Sequence, residues 1–386
     1  MEQREHIMAL SEALAALEDS LINLAEAHQD TLIPNYTNGV AAQPNSLAHY
    51  LLAYANAFHR DAERLQEYYV RLNRSPMGAT VLNGTGWPLD RERMAAYLGF
   101  DTIAYNTYDA GQIFPQEAPI ETGGITSAIA IHTTGFIEEI MQQYAQPRPW
   151  MVLKEGGGNT YVSSAMPQKR NPGILNSCRT DASDLLGMAV GAAFRSHNIP
   201  AGMADGRLSG RRDLVPQATK VVEALNHIIN NLVIDPKRSL EELNLDWTCS
   251  QEIADVLMKK YNIPFRLGHH FASDIVTYAR AHQIPPSDFS YDEARKIYAA
   301  AVKEDPSLPE AFPMTEQEWR EAKDPAAIVR NRAVKGGPQP AELAKMISMA
   351  RSDQKRDALW MVEKKHQLQA AENRLNADFE RMLSGE

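Results

Sequence analysis

Residues 156–172 read GGGNTYVSSAMPQKRNP and hold the densest set of side chains suited to chemistry. Three consecutive glycines, Gly156, Gly157 and Gly158, carry a high conformational entropy and predict a mobile loop. Ser163 and Ser164 follow, then Lys169, Asn171 and Pro172, which opens a helix. A helix N-terminus offers unpaired backbone N–H groups and partial positive charge. Lys169 adds a cation and Asn171 an amide, a set that suits a carboxylate. Ser163 or Ser164 would then act on the carbon beside that carboxylate. The plainer reading of the same residues is a glycine loop followed by an ordinary helix cap.

The elements that must position this loop read as long helices. Ile7, Leu10, Leu14, Leu17, Leu21 and Leu24 recur at alternating spacings of three and four, which is a heptad-like seam. That helix stops before Pro34. A second is predicted from near Pro44, a good first-turn residue. It carries Leu47, Leu51, Tyr54, Phe58, Leu65, Tyr68 and Leu72, and Asp61 interrupts the stripe. Turn residues crowd the stretch from Ser75 to Pro119. A third helix is expected over residues 120–145 and a fourth from Asn171-Pro172 to Phe194. A fifth runs through Leu214, Ala218, Val221, Leu225, Ile228 and Leu232. No segment alternates convincingly as a strand. The expected fold class is all-α, a long-helix bundle over residues 1–235. Asp235-Pro236 opens a smaller, proline-rich C-terminal helical domain over 236–386, ending in a charged helix from Glu342 to Leu383. Seams this long bury more than one helix face, which predicts an oligomer.

Composition narrows the class. The 386 residues include 39 Lys and Arg against 49 Asp and Glu, a net charge of −10, with no basic tract. That argues against a nucleic-acid surface. No stretch approaches ~20 apolar residues, so no membrane span is expected. The opening MEQREHIM lacks an apolar signal core. Cys178 and Cys249 are the two cysteines, and neither sits in a metal or disulfide pattern, so a reducing cytoplasm fits. Neither GxGxxG nor GxxxxGK(S/T) occurs. His49 and His59 lie along the second helix and read as surface or packing residues rather than bases. His269 and His270 are adjacent, so they point different ways on a helix. No metal and no cofactor are expected.

SSAMPQKRNP resembles the signature loop of the aspartase/fumarase superfamily, Gly-Ser-Ser-x-Met-Pro-x-Lys-x-Asn-Pro, with Val162 in place of the leading glycine. Residues 34–44 (PNYTNGVAAQP), 49–65, 75–78 (SPMG), 90–100, 263–269 (IPFRLGH) and 334–340 (VKGGPQP) are similar, in order, to the argininosuccinate lyase branch. The resemblance implies a D₂ homotetramer that draws each active site from several chains. It also implies removal of a proton beside a carboxylate, then loss of an amine from the β carbon to leave fumarate. Matched position by position, Ser163 is the base, and Lys169 and Asn171 hold the carboxylate that gains charge. Thr37, Asn38, Ser164, Met166 and Arg211 fall around the substrate. A serine base needs fixed positive potential to lower its pKa, which the helix N-terminus and Lys169 would supply.

Three departures shape the expectation. The family's paired histidine and glutamate fall on Asn38 and Asn176, read as a matched neutral pair that keeps a hydrogen bond but cannot shuttle a proton. The segment that grips a guanidinium aligns with MADGRLSGR, 203–211, where Met203 and Leu208 replace polar residues and Arg211 alone keeps a cation. This disfavours argininosuccinate itself and leaves the amine half of the substrate unassigned. The family's Gly-Arg-Ser-Arg-Asn-Asp segment, which binds the second carboxylate, does not occur in this sequence. Either a separate polypeptide supplies it, making the chain the large subunit of a split enzyme, or the site does not bind a dicarboxylate in the family way. The competing reading is a non-catalytic member that assembles with an active homologue. A weaker one is a cycloisomerase of the carboxymuconate type.

Overall fold

The computed structural model describes residues 1–80, 82–198, 200–203, 213–304 and 309–385. Arg211 and Leu208 lie outside these residues. The fold is all-α, with short two-stranded ribbons at the helix junctions. Helix α1 spans Glu2–Ala27, α2 Leu47–Leu72, α3 Arg91–Tyr97, α4 Phe114–Tyr144, α5 Gly173–Ser196 and α6 Leu214–Asn230. The seam read on α1 is buried at Ile7, Leu10, Leu14, Leu17 and Leu21. Each such side chain contributes about 1.5–3 kcal/mol by leaving water. It packs against Leu51, Phe58 and Leu65 of α2, Ile129, Phe136 and Ile140 of α4, and Val221, Leu225 and Ile228 of α6, in one continuous core.

Asp61, the interruption in the α2 stripe, is fully buried. Its carboxylate accepts from His132 Nδ1 at 2.8 Å and Arg64 Nη1 at 2.7 Å. Burial pushes its carboxyl upward, and these two contacts pull it back.

Helix α2 begins later than Pro44. Ser46 is its N-cap, accepting from the Ala48 N–H at 3.2 Å. Pro44 instead lies in an antiparallel hairpin, β1 (Leu32–Thr37) with β2 (Val40–Ser46), directly opposite Pro34. Helix α4 begins earlier than 120, after a π-turn at Asp109–Ile113, with Pro115 in its first turn and Pro119 inside it. Leu232 leaves the fifth helix and belongs to a strand, Leu232–Ile234, paired antiparallel with Met151–Leu153.

Beyond residue 235 come α7 Pro236–Leu245, α8 Ser250–Tyr261, α9 Phe265–His282, α10 Tyr291–Glu304, α11 Glu316–Lys323, α12 Pro325–Arg330 and α13 Pro340–Ser384. A second core joins Trp247, Ile253, Phe271, Ile275, Phe289, Tyr298 and Trp319. Helix α13 does not share it. Its Leu343 and Ala350 are part of the first core, where Trp360 and Met361 also pack, and it lies along α1 and α2. Among the described residues no helix is long and apolar enough to cross a membrane.

Candidate active site

The signature segment folds as a small ribbon that leads into α5. Tyr161–Val162 pairs antiparallel with Arg170–Asn171, and residues 163–169 turn between them. The three glycines just before it all take positive φ, +79°, +60° and +84°, a path that side-chain-bearing residues rarely follow. Asn159 anchors the loop from below. It is buried, donates to the Lys154 carbonyl at 3.1 Å, and its Oδ1 lies 2.9 Å from His227 Nε2. Arg170 Nε, 2.9 Å from Glu155, ties the ribbon back to the preceding strand's end.

The turn is closed by Ser163. Its backbone N–H donates to the Lys169 carbonyl at 3.1 Å. Its Oγ accepts from the Met166 N–H at 3.2 Å and the Ala165 N–H at 3.4 Å. Two backbone dipoles aimed at one hydroxyl oxygen favour its ionised form over its neutral one. Ser164, Met166 and Lys169 are exposed beside it. Lys169 makes no ion pair among the described residues, so its charge is available to an anion. Asn171 lies within the ribbon, half-buried, its amide 3.5 Å from the Tyr161 carbonyl. Pro172 is the N-cap of α5.

Tyr161 lies over the first turn of α5. A Cβ at Gly173 would meet its ring at 3.0 Å. Gly158, Tyr161, Gly173, Ile174, Asn176 and Ser177 line an open cavity of about 480 Å³. The Asn176 side chain accepts from Arg179 at 3.3 Å.

Thr37 and Asn38 are elsewhere in the chain, at the exposed tip of the β1–β2 hairpin. Thr37 pairs with Val40, leaving Asn38-Gly39 as a two-residue turn with φ of +52° and +77°. Both positive angles mark a type I′ turn, for which Asn-Gly is the favoured dipeptide. Asn38 therefore has a backbone reason for its identity. It lines a second cavity, of about 650 Å³, with Tyr36, Tyr50, Glu139, Gln143 and Trp150. Glu139 accepts from the hydroxyls of Tyr50 and Tyr54. Burial, with Glu139 adding to it, pushes both phenols well above their usual range. Sequence reading missed Glu139 and its tyrosines. The available signal was the polar run Glu138-Glu139 and Gln142-Gln143 interrupting an apolar helix.

Within one chain the two cavities are separate: Asn38 lines one and Asn176 the other. Neither histidine of α2 sits in either. His49 bonds the Gly336 carbonyl at 2.9 Å, and His59 faces α1 and α13. Cys178 and Cys249 are free and buried, and burial pushes both thiols up to about 12.

A long-helix bundle that carries this loop at the head of a core helix defines a helical lyase of the aspartase/fumarase superfamily. Residues 3–187 match a family model described as lyase, and residues 247–330 one described as argininosuccinate lyase C-terminal. Argininosuccinate lyase of Methanoculleus marisnigri is 31% identical, over 98% of this chain and 73% of that protein. The enzyme of Ehrlichia canis is 30% identical, over 76% of this chain and 62% of its own. A crystal structure of EDDS lyase in complex with formate superposes with a TM-score of 0.89 at 24% identity, covering 98% of this chain and 74% of that one. The 3-carboxy-cis,cis-muconate lactonizing enzyme of Pseudomonas putida gives 0.63 at 18% identity. These structural likenesses bear on the fold. The chain belongs to the argininosuccinate lyase family, whose members are carbon–nitrogen lyases.

Proposed function

We propose that the chain catalyses β-elimination of an amine from an N-substituted aspartate, releasing fumarate. Ser163 is the base. Lys169 and Asn171 hold the carboxylate beside the carbon that loses its proton. Thr37, Asn38, Ser164 and Met166 contact the substrate, and Arg211 is the remaining candidate for its amine half. The observation that carries the reading is the pair of backbone N–H groups directed at Ser163 Oγ. The Ser163 hydroxyl gives its proton to water, and the resulting alkoxide is stabilised there and takes the substrate's proton. The departing amine takes one from solvent, and Lys169 adds positive charge. As charge moves onto the substrate carboxylate, Lys169 and the α5 N-terminus meet it.

The separation of the two cavities supports an assembly in which Asn38 of one chain reaches the loop of another. That arrangement is a homotetramer working in the cytoplasm. Light scattering at micromolar concentration tests it, and a stable monomer would remove the composite site. The reaction is tested by incubating the chain with a panel of N-substituted aspartates, argininosuccinate included, and following fumarate by absorbance. Turnover of a member other than argininosuccinate is expected. No turnover by a well-folded tetramer would leave the non-catalytic reading standing.

A further inference from the structure

Helices α1, α2 and α13 meet around a group that the lyase chemistry does not use. His59 of α2 points between Glu18 of α1 and Asp357 of α13. Its Nδ1 is 3.5 Å from Glu18 Oε2 and 3.0 Å from Asp357 Oδ2. One donor atom from each of the three residues falls within 4.8 Å of the others. Glu18 and Asp357 are only 4% and 7% exposed. Two of their oxygens, Glu18 Oε1 and Asp357 Oδ2, are buried and make no hydrogen bond. An orphaned carboxylate oxygen in a core is costly unless a cation meets it.

We propose that Glu18, His59 and Asp357 bind a divalent transition ion of the zinc class, which clamps the C-terminal helix onto the bundle. The donor set suits such an ion: one imidazole and two carboxylates, with water as the fourth ligand. Zinc bonds of about 2.0–2.1 Å place tetrahedral donors about 3.3 Å apart. The two His59 separations, 3.5 and 3.0 Å, bracket that value. Further polar groups surround the ligands, one of them in a direct hydrogen bond to Asp357. The second His59 nitrogen, Nε2, faces Glu63 at 3.7 Å and Asp353 at 4.0 Å. Asp357 Oδ1 is fixed by Gln66 at 2.8 Å, and Asp353 by Arg356 at 2.7 Å. The charges also balance: a dication neutralises the two buried carboxylates.

The test uses the whole chain after chelator treatment, with Co²⁺ as the spectroscopic probe and Zn²⁺ as the competitor. The wild type is expected to take up one Co²⁺ per chain with visible d–d bands, which Zn²⁺ then bleaches. Zn²⁺ is also expected to raise its melting temperature. Glu18→Gln, His59→Gln and Asp357→Asn keep the side-chain shape, and each should weaken uptake by at least ~10-fold. The far-ultraviolet circular dichroism of each variant checks that it is folded. Absence of uptake at micromolar metal by the folded wild type overturns the proposal and needs no variant. So does unchanged affinity in the variants, which would place the ion elsewhere, for instance at the adjacent His269 and His270. Fumarate release is not the readout, so this outcome is independent of the lyase reading.

Discussion

The loop at 156–172 and the hairpin at 32–46 both form two-stranded ribbons, the first joined by residues 163–169 and the second by Asn38-Gly39, and both carry proposed site residues. They are built on different logic. In the loop, a side chain closes the turn: Ser163 Oγ gathers the Ala165 and Met166 N–H groups. The atom that fixes the geometry is the atom proposed to take the proton. In the hairpin, backbone conformation closes the turn, with positive φ at Asn38 and Gly39. The chemistry-bearing side chains, Glu139 and its tyrosines, sit behind it on the helices. A residue identity at the loop therefore reports on mechanism. At the hairpin tip it reports first on the turn, and a departure from a family pattern there is weaker evidence about chemistry.

The strongest way to break this comparison is Ser163→Ala. It removes the proposed base and one turn acceptor, while the Ser163 N–H to Lys169 bond and the strand pairing remain. Fumarate release should fall by ~10³-fold or more. The melting temperature should move little, because the segment is exposed. A large thermal effect with modest loss of rate would assign Ser163 to the turn alone. Next in size is Gly173→Ala. Its new methyl meets the Tyr161 ring at 3.0 Å, so that ring, or the ribbon that carries it, must give by a few tenths of an ångström. Misplacement of 1 Å costs up to ~10²-fold in rate, so this smaller displacement should cost less, about 10-fold. The decrease should appear in kcat more than in stability. Unchanged kinetics would mean that the loop is not held in register by this contact.

The uneven legibility of the molecule follows the same division. The α1 seam was readable because a buried helix face repeats at three and four whatever the tertiary context. Helix starts were less so. Pro44 suits a first turn equally well as an edge strand, and only Ser46, whose hydroxyl caps α2, separates the two. The hairpin was missed because its burial does not alternate cleanly. Asn38-Gly39, its one strong local signal, coincides with a departure from the family pattern, which masks it. Helix α13 was placed with the residues that precede it in sequence. Its apolar positions pack on helices far back in the chain, as Trp360 does on Tyr69 of α2, which no local pattern encodes. Glu18, His59 and Asp357 are hidden for the same reason: their convergence is a property of three helices. The turn of the signature loop was legible because the residues that close it are local.

A smaller effect separates the two roles open to Asn38. A residue with a Cβ in the left-handed region loses about 1–2 kcal/mol unless it is asparagine-like or glycine. Asn38→Ala should therefore destabilise the chain by about 1 kcal/mol in a urea melt, and Asn38→Gly should leave stability nearly unchanged. If both variants melt like the wild type, the turn does not set this residue.

The finest test asks whether Asn38 also serves catalysis through Asn176. The two line different cavities in one chain, so any coupling between them runs between chains. Histidine is among the residues that tolerate positive φ, and Asn38→His should fold. Alone it should not raise the rate, since its ring lacks a carboxylate partner. With Asn176→Glu it gains one, and the double variant should depart from the sum of its singles by about 0.5 kcal/mol or more in kcat/KM. The same pair should introduce into the pH–rate profile a histidine-like ionisation near ~6.5 that the wild type lacks at this position. Activity of both singles and the double, with fumarate as readout, closes the cycle. Strict additivity, together with a destabilised Asn38→Ala, would show that Asn38 is there for the turn, and that the neutral pair does not exist.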